Sequence, residues 1–251
     1  MDVNNEYGVL DVQKDLLKLL KEFDHFCIAN NIKYSVIGGT LLGAIRHKGF
    51  IPWDDDLDVF VDRENYRKLK NSLPSDKLGI DSRPNTSFWV DKLKFLDKMD
   101  DKTELVIDVF VLDNLPDNKL AAYLKINTLR FLQGMIKPRP RFSEYPIVYR
   151  AISILLWLLG RLFSKEIKLK LYHFVSVWGN RKETKSKMIS NDEFGLLPVK
   201  YPYNIMNSTI RLSFENIEVS GISQYDRYLT LIYGDYMTPP NESERVPRHI
   251  V

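Results

Sequence analysis

Four aspartates, Asp54, Asp55, Asp56 and Asp58, fall within five positions directly ahead of the apolar run Val59-Phe60-Val61. Carboxylates at that density repel one another, and burying them is costly unless a cation or hydrogen-bond donors stand between them. Side chains alternate faces along a strand, so Asp56 and Asp58 share one face, about 6–7 Å apart at Cα, while Leu57 and Val59 turn to the core. Two carboxylates so placed suit oxygen coordination of one divalent cation, or two. Asp54 and Asp55 follow Pro52-Trp53 in what reads as a loop, where either can add an outer contact. The plainer alternative is an acidic turn that only caps a strand.

Two further features bear on the choice. Gly38-Gly39-Thr40 stands at a strand-to-helix turn. Glycines let the backbone approach a ligand closely, and a helix N-terminus offers N–H groups to phosphate oxygens; glycine pairs also end strands for steric reasons alone. Asp108 is the one ionisable residue in "VIDVFVL", a strand apolar on both faces. A carboxylate buried there needs something cationic beside it. That partner is either a metal shared with Asp56 and Asp58 or a side chain, Arg46 or Lys92. A glycine pair, a D-x-D strand eighteen residues later and a third aspartate on a neighbouring strand resemble the layout of the nucleotidyltransferase superfamily. In that chemistry a metal neutralises phosphate charge and orients the attacking oxygen.

The elements that must hold these residues follow from periodicity. Residues 8–30 carry Leu16, Leu19, Leu20, Phe23 and Phe26 at helical spacing. A short strand is expected at 33–37, a helix from Thr40 to His47, a strand at 56–61 and a helix that stops before Pro74. Strands are expected at 87–97 and 104–113, then helices at 117–136 and 145–178. The last third reads as one strand, "TIRLSFENIEV", and one helix, "SQYDRYLTLIYGD". The expected fold class is α/β of the α+β kind: a nucleotidyltransferase-like mixed sheet with flanking helices and a mainly helical second half. The expected division is a catalytic core over 1–115 and a helical, acceptor-side region over 116–251 whose C-terminal segment returns to the active site.

Composition sets the bounds. With 251 residues, 44% hydrophobic and 12% aromatic, the chain is globular and can bury a substantial core. Its 36 Lys and Arg against 33 Asp and Glu leave a net charge of +3, too little to argue for a nucleic-acid partner. A lone cysteine, Cys27, falls in an apolar helical pattern and reads as a small buried hydrophobe in a reducing compartment. The first residues lack the basic and apolar regions of a signal peptide, so a cytoplasmic location is expected. One stretch qualifies that: in "KPRPRFSEYPIVYRAISILLWLLGRLF" ten residues separate Arg150 from Arg161, short of the about 20 needed to span a bilayer. The helix at 145–163 is then either a core helix or an interfacial one whose arginines reach for head groups at the inner face of a membrane.

The stretch "GGTLLGAIRHKGFIPWDDDLDV" resembles, almost residue for residue, the signature of the LicD family, the phosphocholine transferases of bacterial surface glycans, to which the fukutin-related transferases are akin. "ELVIDVFVLDNLP" and "FENIEVSGISQYDRYLTLIYGDYMTPP" with its closing "RHI" agree with it; residues 117–200 match weakly. The resemblance implies that Asp56, Asp58 and Asp108 hold Mg2+ or Mn2+. It implies that Gly38, Gly39 and Thr40 line the donor phosphates, with Arg46, His47 and Lys48 supplying positive charge. Lys92 or Lys94 would reach the same phosphates, unless they form a solvated strand face. Asp235 would shape the site with Tyr233, Gly234 and Tyr236, and His249 is a candidate donor contact. Where members commonly carry a proline before the "YDRYL" helix, this chain has Gly221-Ile222-Ser223, and Ser223 can cap that helix. The implied reaction moves phosphocholine, or another phospho-alcohol, from a CDP-activated donor to a sugar hydroxyl of a teichoic acid, lipopolysaccharide, capsule or lipid-linked precursor, releasing CMP. Asp108 or Asp55 would take the proton. Trp53, Phe88, Trp89 and Tyr236 are available to cage a choline, or belong to the core. The alternatives are transfer of a nucleotide to a small acceptor, and a non-catalytic binding protein on the same scaffold.

Overall fold

A computed structural model describes residues 7–81, 90–99, 105–137, 147–180 and 183–248. The chain divides into two compact units: Met1–Asp81, Asp91–Phe110 and Asn204–Val251 form one, and Ser82–Val90 with Val111–Tyr203 the other. The fold is α+β, with a mixed parallel and antiparallel sheet and, among the described residues, seven α-helices.

In the first unit, helix α1 (Leu10–Ala29) buries Leu16, Leu19, Leu20, Phe23 and Cys27 on one face. Burial also pushes the Cys27 thiol pKa well up, so the cysteine behaves as the small hydrophobe its position predicts. Strand β1 (Ser35–Val36) leads into α2 (Gly38–Arg46), then β2 (Asp58–Asp62), α3 (Arg63–Ser72), β3 (Leu78–Asp81), β4 (Asp91–Phe95) and β5 (Ile107–Leu115). Strands β8 (Thr209–Phe214) and β9 (Ile217–Ile222) and helix α7 (Tyr225–Tyr233) close the unit. The strand order is β3-β4-β5-β2-β1-β9-β8. β1 runs antiparallel to β2, with Val36 opposite Val59, and parallel to β9, with Val36 opposite Gly221. β4 runs antiparallel to β5, which sets Lys92 directly opposite Asp108.

In the second unit, the far end of β5 pairs with β6 (Ser186–Ile189), and β6 pairs with β7 (Tyr201–Pro202). Helix α4 (Lys119–Ile136) packs against α5 (Ile147–Arg161) and α6 (Lys165–Val177). Leu115, Ile126, Leu129, Leu132 and Tyr172 form its core. A buried Leu of this kind contributes about 1.5–3 kcal/mol.

Several expectations change. "TIRLSFENIEV" is a hairpin rather than one strand, because Glu215 turns the chain at φ 53°. The helical stretch 145–178 breaks at Ser164, whose side chain caps α6 by accepting from the Ile167 N–H. α7 takes Gln224 as its N-cap, not Ser223. Strands β3, β6 and β7 are additional, short elements whose apolar residues are too few to show a period. β2 starts at Asp58, so Asp56 stands in the loop before the strand.

Candidate active site

The glycine pair after β1 is shaped by carboxylates. Gly38 takes φ 56°, and a Cβ there would lie 2.7 Å from Asp58 Oδ2. A Cβ on Gly39 would lie 2.5 Å from Asp54 Oδ2. Neither approach tolerates a side chain, so the first turn of α2 forms a bed for two acidic groups, where the helix dipole favours negative charge. The bed is fixed from behind. The Gly38 N–H donates to the Tyr228 hydroxyl at 3.1 Å, and buried Thr40 accepts the Asp58 N–H at 2.9 Å through Oγ1. Gln13 on α1 donates to the Ile51 and Asp54 carbonyls at 3.2 and 2.8 Å, which sets the acidic loop.

Gly39, Asp54 and Asp58 of this bed line a cavity of about 470 Å³. Asp54, Asp56 and Asp58 make one wall, Arg46 and Arg248 add cations, and Trp53, Tyr233 and Tyr236 add aromatic surface. Burial, the charges of Asp56 and Asp55 and a hydrogen bond with Asp56 push the Asp54 carboxyl up to about 8, against a weaker pull downward from Arg248. The Tyr233 hydroxyl is driven well above its ordinary value by burial and then by Asp58, Asp54 and Asp56. The wall therefore concentrates negative charge in a sheltered place. Arg46 is lowered chiefly by burial and donates through Nη1 to the Tyr236 carbonyl at 2.8 Å.

The remaining candidates have partners of several kinds. Asp108 forms an ion pair with Lys92 at 3.4 Å, and its N–H donates to the Leu57 carbonyl at 2.8 Å. Lys92 is one of the two side chains that the sequence offers as its partner. Lys94 is 8% exposed and faces Gly79 across the β3–β4 pair, so the two lysines do not form a solvated face. Asp55 is buried and accepts the Arg248 N–H at 3.2 Å. His47 is pushed down by burial and by the Arg46 cation, which leaves its imidazole mostly neutral at pH 7. Lys48 is exposed at φ 61°, and its carbonyl accepts from Glu215. The Glu215 carboxylate takes the Phe50 N–H at 3.0 Å, so the turn after α2 is locked to the β8–β9 hairpin. Trp53 lines the cavity with the Arg245 guanidinium 5.5 Å from its ring centre. Asp235 also lines the cavity and accepts from Thr238 at 2.7 Å. His249, Phe88 and Trp89 lie outside the described residues. Among the described residues, no three His, Cys, Asp or Glu side chains are already gathered as an ion-holding cluster.

Gln13, Tyr228 and Arg248 escaped the sequence reading. Each acts across a large sequence separation; Tyr228 and Arg248 lie in the quoted "YDRYL" and "RHI" segments, but their partners are not legible there.

Residues 31–119 match the family described as LicD/FKTN/FKRP, nucleotidyltransferase domain. The chain is similar to the lipopolysaccharide cholinephosphotransferase LicD of Haemophilus influenzae, 29% identical over 249 residues that cover 93% of each chain. It is also 30% identical over 165 residues to an uncharacterized protein of Rickettsia typhi, covering 60% of this chain and 53% of that one. An uncharacterized protein of Rickettsia prowazekii is 46% identical over 65 residues, 26% of this chain and 24% of the other. The matched segment contains the glycine bed, the acidic wall and Asp108, so over residues 31–119 the chain matches the nucleotidyltransferase domain of the LicD/FKTN/FKRP family.

Proposed function

We propose that this protein transfers a phospho-alcohol, phosphocholine foremost, from a CDP-activated donor to a sugar hydroxyl of a cell-surface glycan or its lipid-linked precursor. The observation that carries the reading is the wall of Asp54, Asp56 and Asp58 facing a cavity that also holds Arg46 and Arg248. Its similarity along nearly the whole chain to a lipopolysaccharide cholinephosphotransferase supports the substrate class.

The wall fits a hard divalent cation, Mg2+ or Mn2+. Its donors are carboxylate oxygens, and burial together with their crowding drives Asp54 to about 8, so a cation there would relieve them. Asp56 and Asp58 are the first two ligands in this reading. Asp54 shares their wall, while Asp108, expected as the third, is engaged with Lys92. Such an ion, when bound, neutralises the charge of a donor diphosphate. Arg46 and Arg248 bind the phosphate oxygens from the same cavity. Trp53 and Tyr236 offer ring faces to a quaternary ammonium head group. The acceptor oxygen forms a bond to the phosphorus that carries the alcohol, the bond from that phosphorus to CMP breaks, and the hydroxyl proton passes to a carboxylate of the wall.

The test is CMP release by the purified chain from CDP-choline, CDP-glycerol and CDP-ribitol, with a surface-glycan acceptor and with Mg2+ or a chelator. One CDP-alcohol should yield CMP and a glycan phosphodiester, and chelation should stop it. Pyrophosphate released from CTP or ATP, with no CMP from any CDP-alcohol, would instead establish nucleotide transfer, the reading that the domain's family description also admits.

A further inference from the structure

The second unit carries an apolar surface that the proposed reaction does not use. Helix α5 packs its Leu156 and Gly160 side against α4. A Cβ on Gly160 would lie 2.1 Å from the Met135 carbonyl, and one on Gly134 would lie 2.7 Å from Leu156. The opposite side of α5 has Ile154, Leu155 and Leu158 between 38% and 57% exposed, and Leu162, just past the end of the helix, is 76% exposed. Helix α6 repeats the pattern. Tyr172 and Ser176 face inward, while Phe163, Ile167, Leu171, Phe174 and Trp178 are between 43% and 68% exposed at the same helical spacing. Single exposed leucines are ordinary, but nine large apolar side chains in two stripes are not. The charges beside them are one-sided. From residue 150 to residue 178 the chain has Arg150, Arg161, Lys165, Lys168 and Lys170 against Glu166 alone. Lys168 is used internally, donating to the Gly160 and Met135 carbonyls at 2.8 and 3.2 Å. Arg161, Lys165 and Lys170 are exposed. Among the described residues, no helix is long and apolar enough to cross a membrane.

An amphipathic helix with an apolar stripe and basic flanks is the physical form of an element that lies in a membrane interface, its apolar face among acyl chains and its cations on anionic head groups. We infer that α5 and α6 dock this unit onto an anionic lipid surface. The apolar stripes supply the burial, and Arg161, Lys165 and Lys170 supply the charge complementarity that favours lipid over an uncharged protein partner. This inference is independent of the proposed reaction.

Flotation of the full chain with vesicles tests it. One set contains phosphatidylcholine alone and the other adds phosphatidylglycerol. The chain should float with the phosphatidylglycerol vesicles, and high salt should weaken the binding. The double variant Leu155→Glu, Phe174→Glu should lose roughly tenfold or more in partitioning. Arg161→Gln with Lys165→Gln should lose the preference for phosphatidylglycerol. Circular dichroism and thermal melting of each variant guard against misfolding, and the charge variant, wholly on the surface, keeps the test open if the first fails to fold. No flotation with either vesicle, or flotation untouched by both variants, overturns the inference. So does a self-associated species that the glutamate variant dissolves while vesicle binding is absent.

Discussion

Asp24 and the Asp54–Asp58 wall belong to the same unit and are treated in opposite ways. Asp24, on α1, is 4% exposed and fully answered. Arg211 donates to both of its oxygens at 2.7 and 2.8 Å, and the Tyr34 hydroxyl donates to one at 2.6 Å. The Arg211 guanidinium is correspondingly raised, first by its hydrogen bond to Asp24. In the wall, carboxylates are crowded against one another and against the glycine bed, and Asp54 is pushed to about 8 by burial and by its neighbours. Asp24 is matched by an arginine fork and a hydroxyl, whereas the wall carboxylates press on one another inside a cavity, which makes that cavity the candidate place for a charge arriving from outside.

The difference can be broken from either end. Asp58→Asn should lower CMP release about a thousandfold while leaving the melting temperature unchanged or raised, since it relieves repulsion and removes a proposed ion ligand. Kinetics with thermal melting measure both. Arg211→Ala should do the reverse. Removing one partner of a buried pair costs about 3–5 kcal/mol, and an exposed pair about 0.2–1. With Arg211 39% exposed and Asp24 at 6%, we expect a loss of about 2 kcal/mol in urea unfolding, with the rate per folded molecule unchanged. Gly39→Ala tests the bed: its Cβ meets Asp54, so activity should fall about tenfold with roughly 1 kcal/mol of stability. Adding Asp54→Ala should restore the stability but not the activity.

Asp192, in the second unit, sharpens the comparison at smaller scale. It is buried, and burial raises its carboxyl to about 7 although it accepts the Glu193 N–H at 2.8 Å. The folded state therefore keeps a proton that the unfolded chain has lost above about 4. Its contribution to stability is fully present below the unfolded pKa and is lost as pH rises from about 4 through about 7. Asp192→Asn should flatten that part of the pH–melting profile, leaving the variant relatively more stable at pH 8 than at pH 5.

The sequence made the acidic wall visible because its residues are neighbours in the chain, and "GGTLLGAIRHKGFIPWDDDLDV" named the family for the same reason. Asp56 and Asp58 both line the cavity, but the strand starts only at Asp58, so the loop, not strand alternation, places Asp56 there. What stayed hidden is what tertiary pairing decides. Lys92 stood beside Arg46 as a possible partner of Asp108, and only the β4–β5 register, which neither segment carries alone, sets Lys92 opposite it. The Tyr228 hydroxyl reaches Gly38 across 190 residues, and the Arg248 N–H reaches Asp55 across 193. His47 and Lys48 read as cations by type; burial and the Arg46 charge lower the pKa of the first, and the second is exposed at a left-handed turn tied to Glu215.

The most direct test is an electron paramagnetic resonance titration of Mn2+ into the full chain, with and without CDP-choline. Stoichiometric binding that the donor tightens and that Asp58→Asn abolishes is what this account predicts. Free Mn2+ at every protein concentration with donor present, or equal binding by the Asp58→Asn chain, would contradict it.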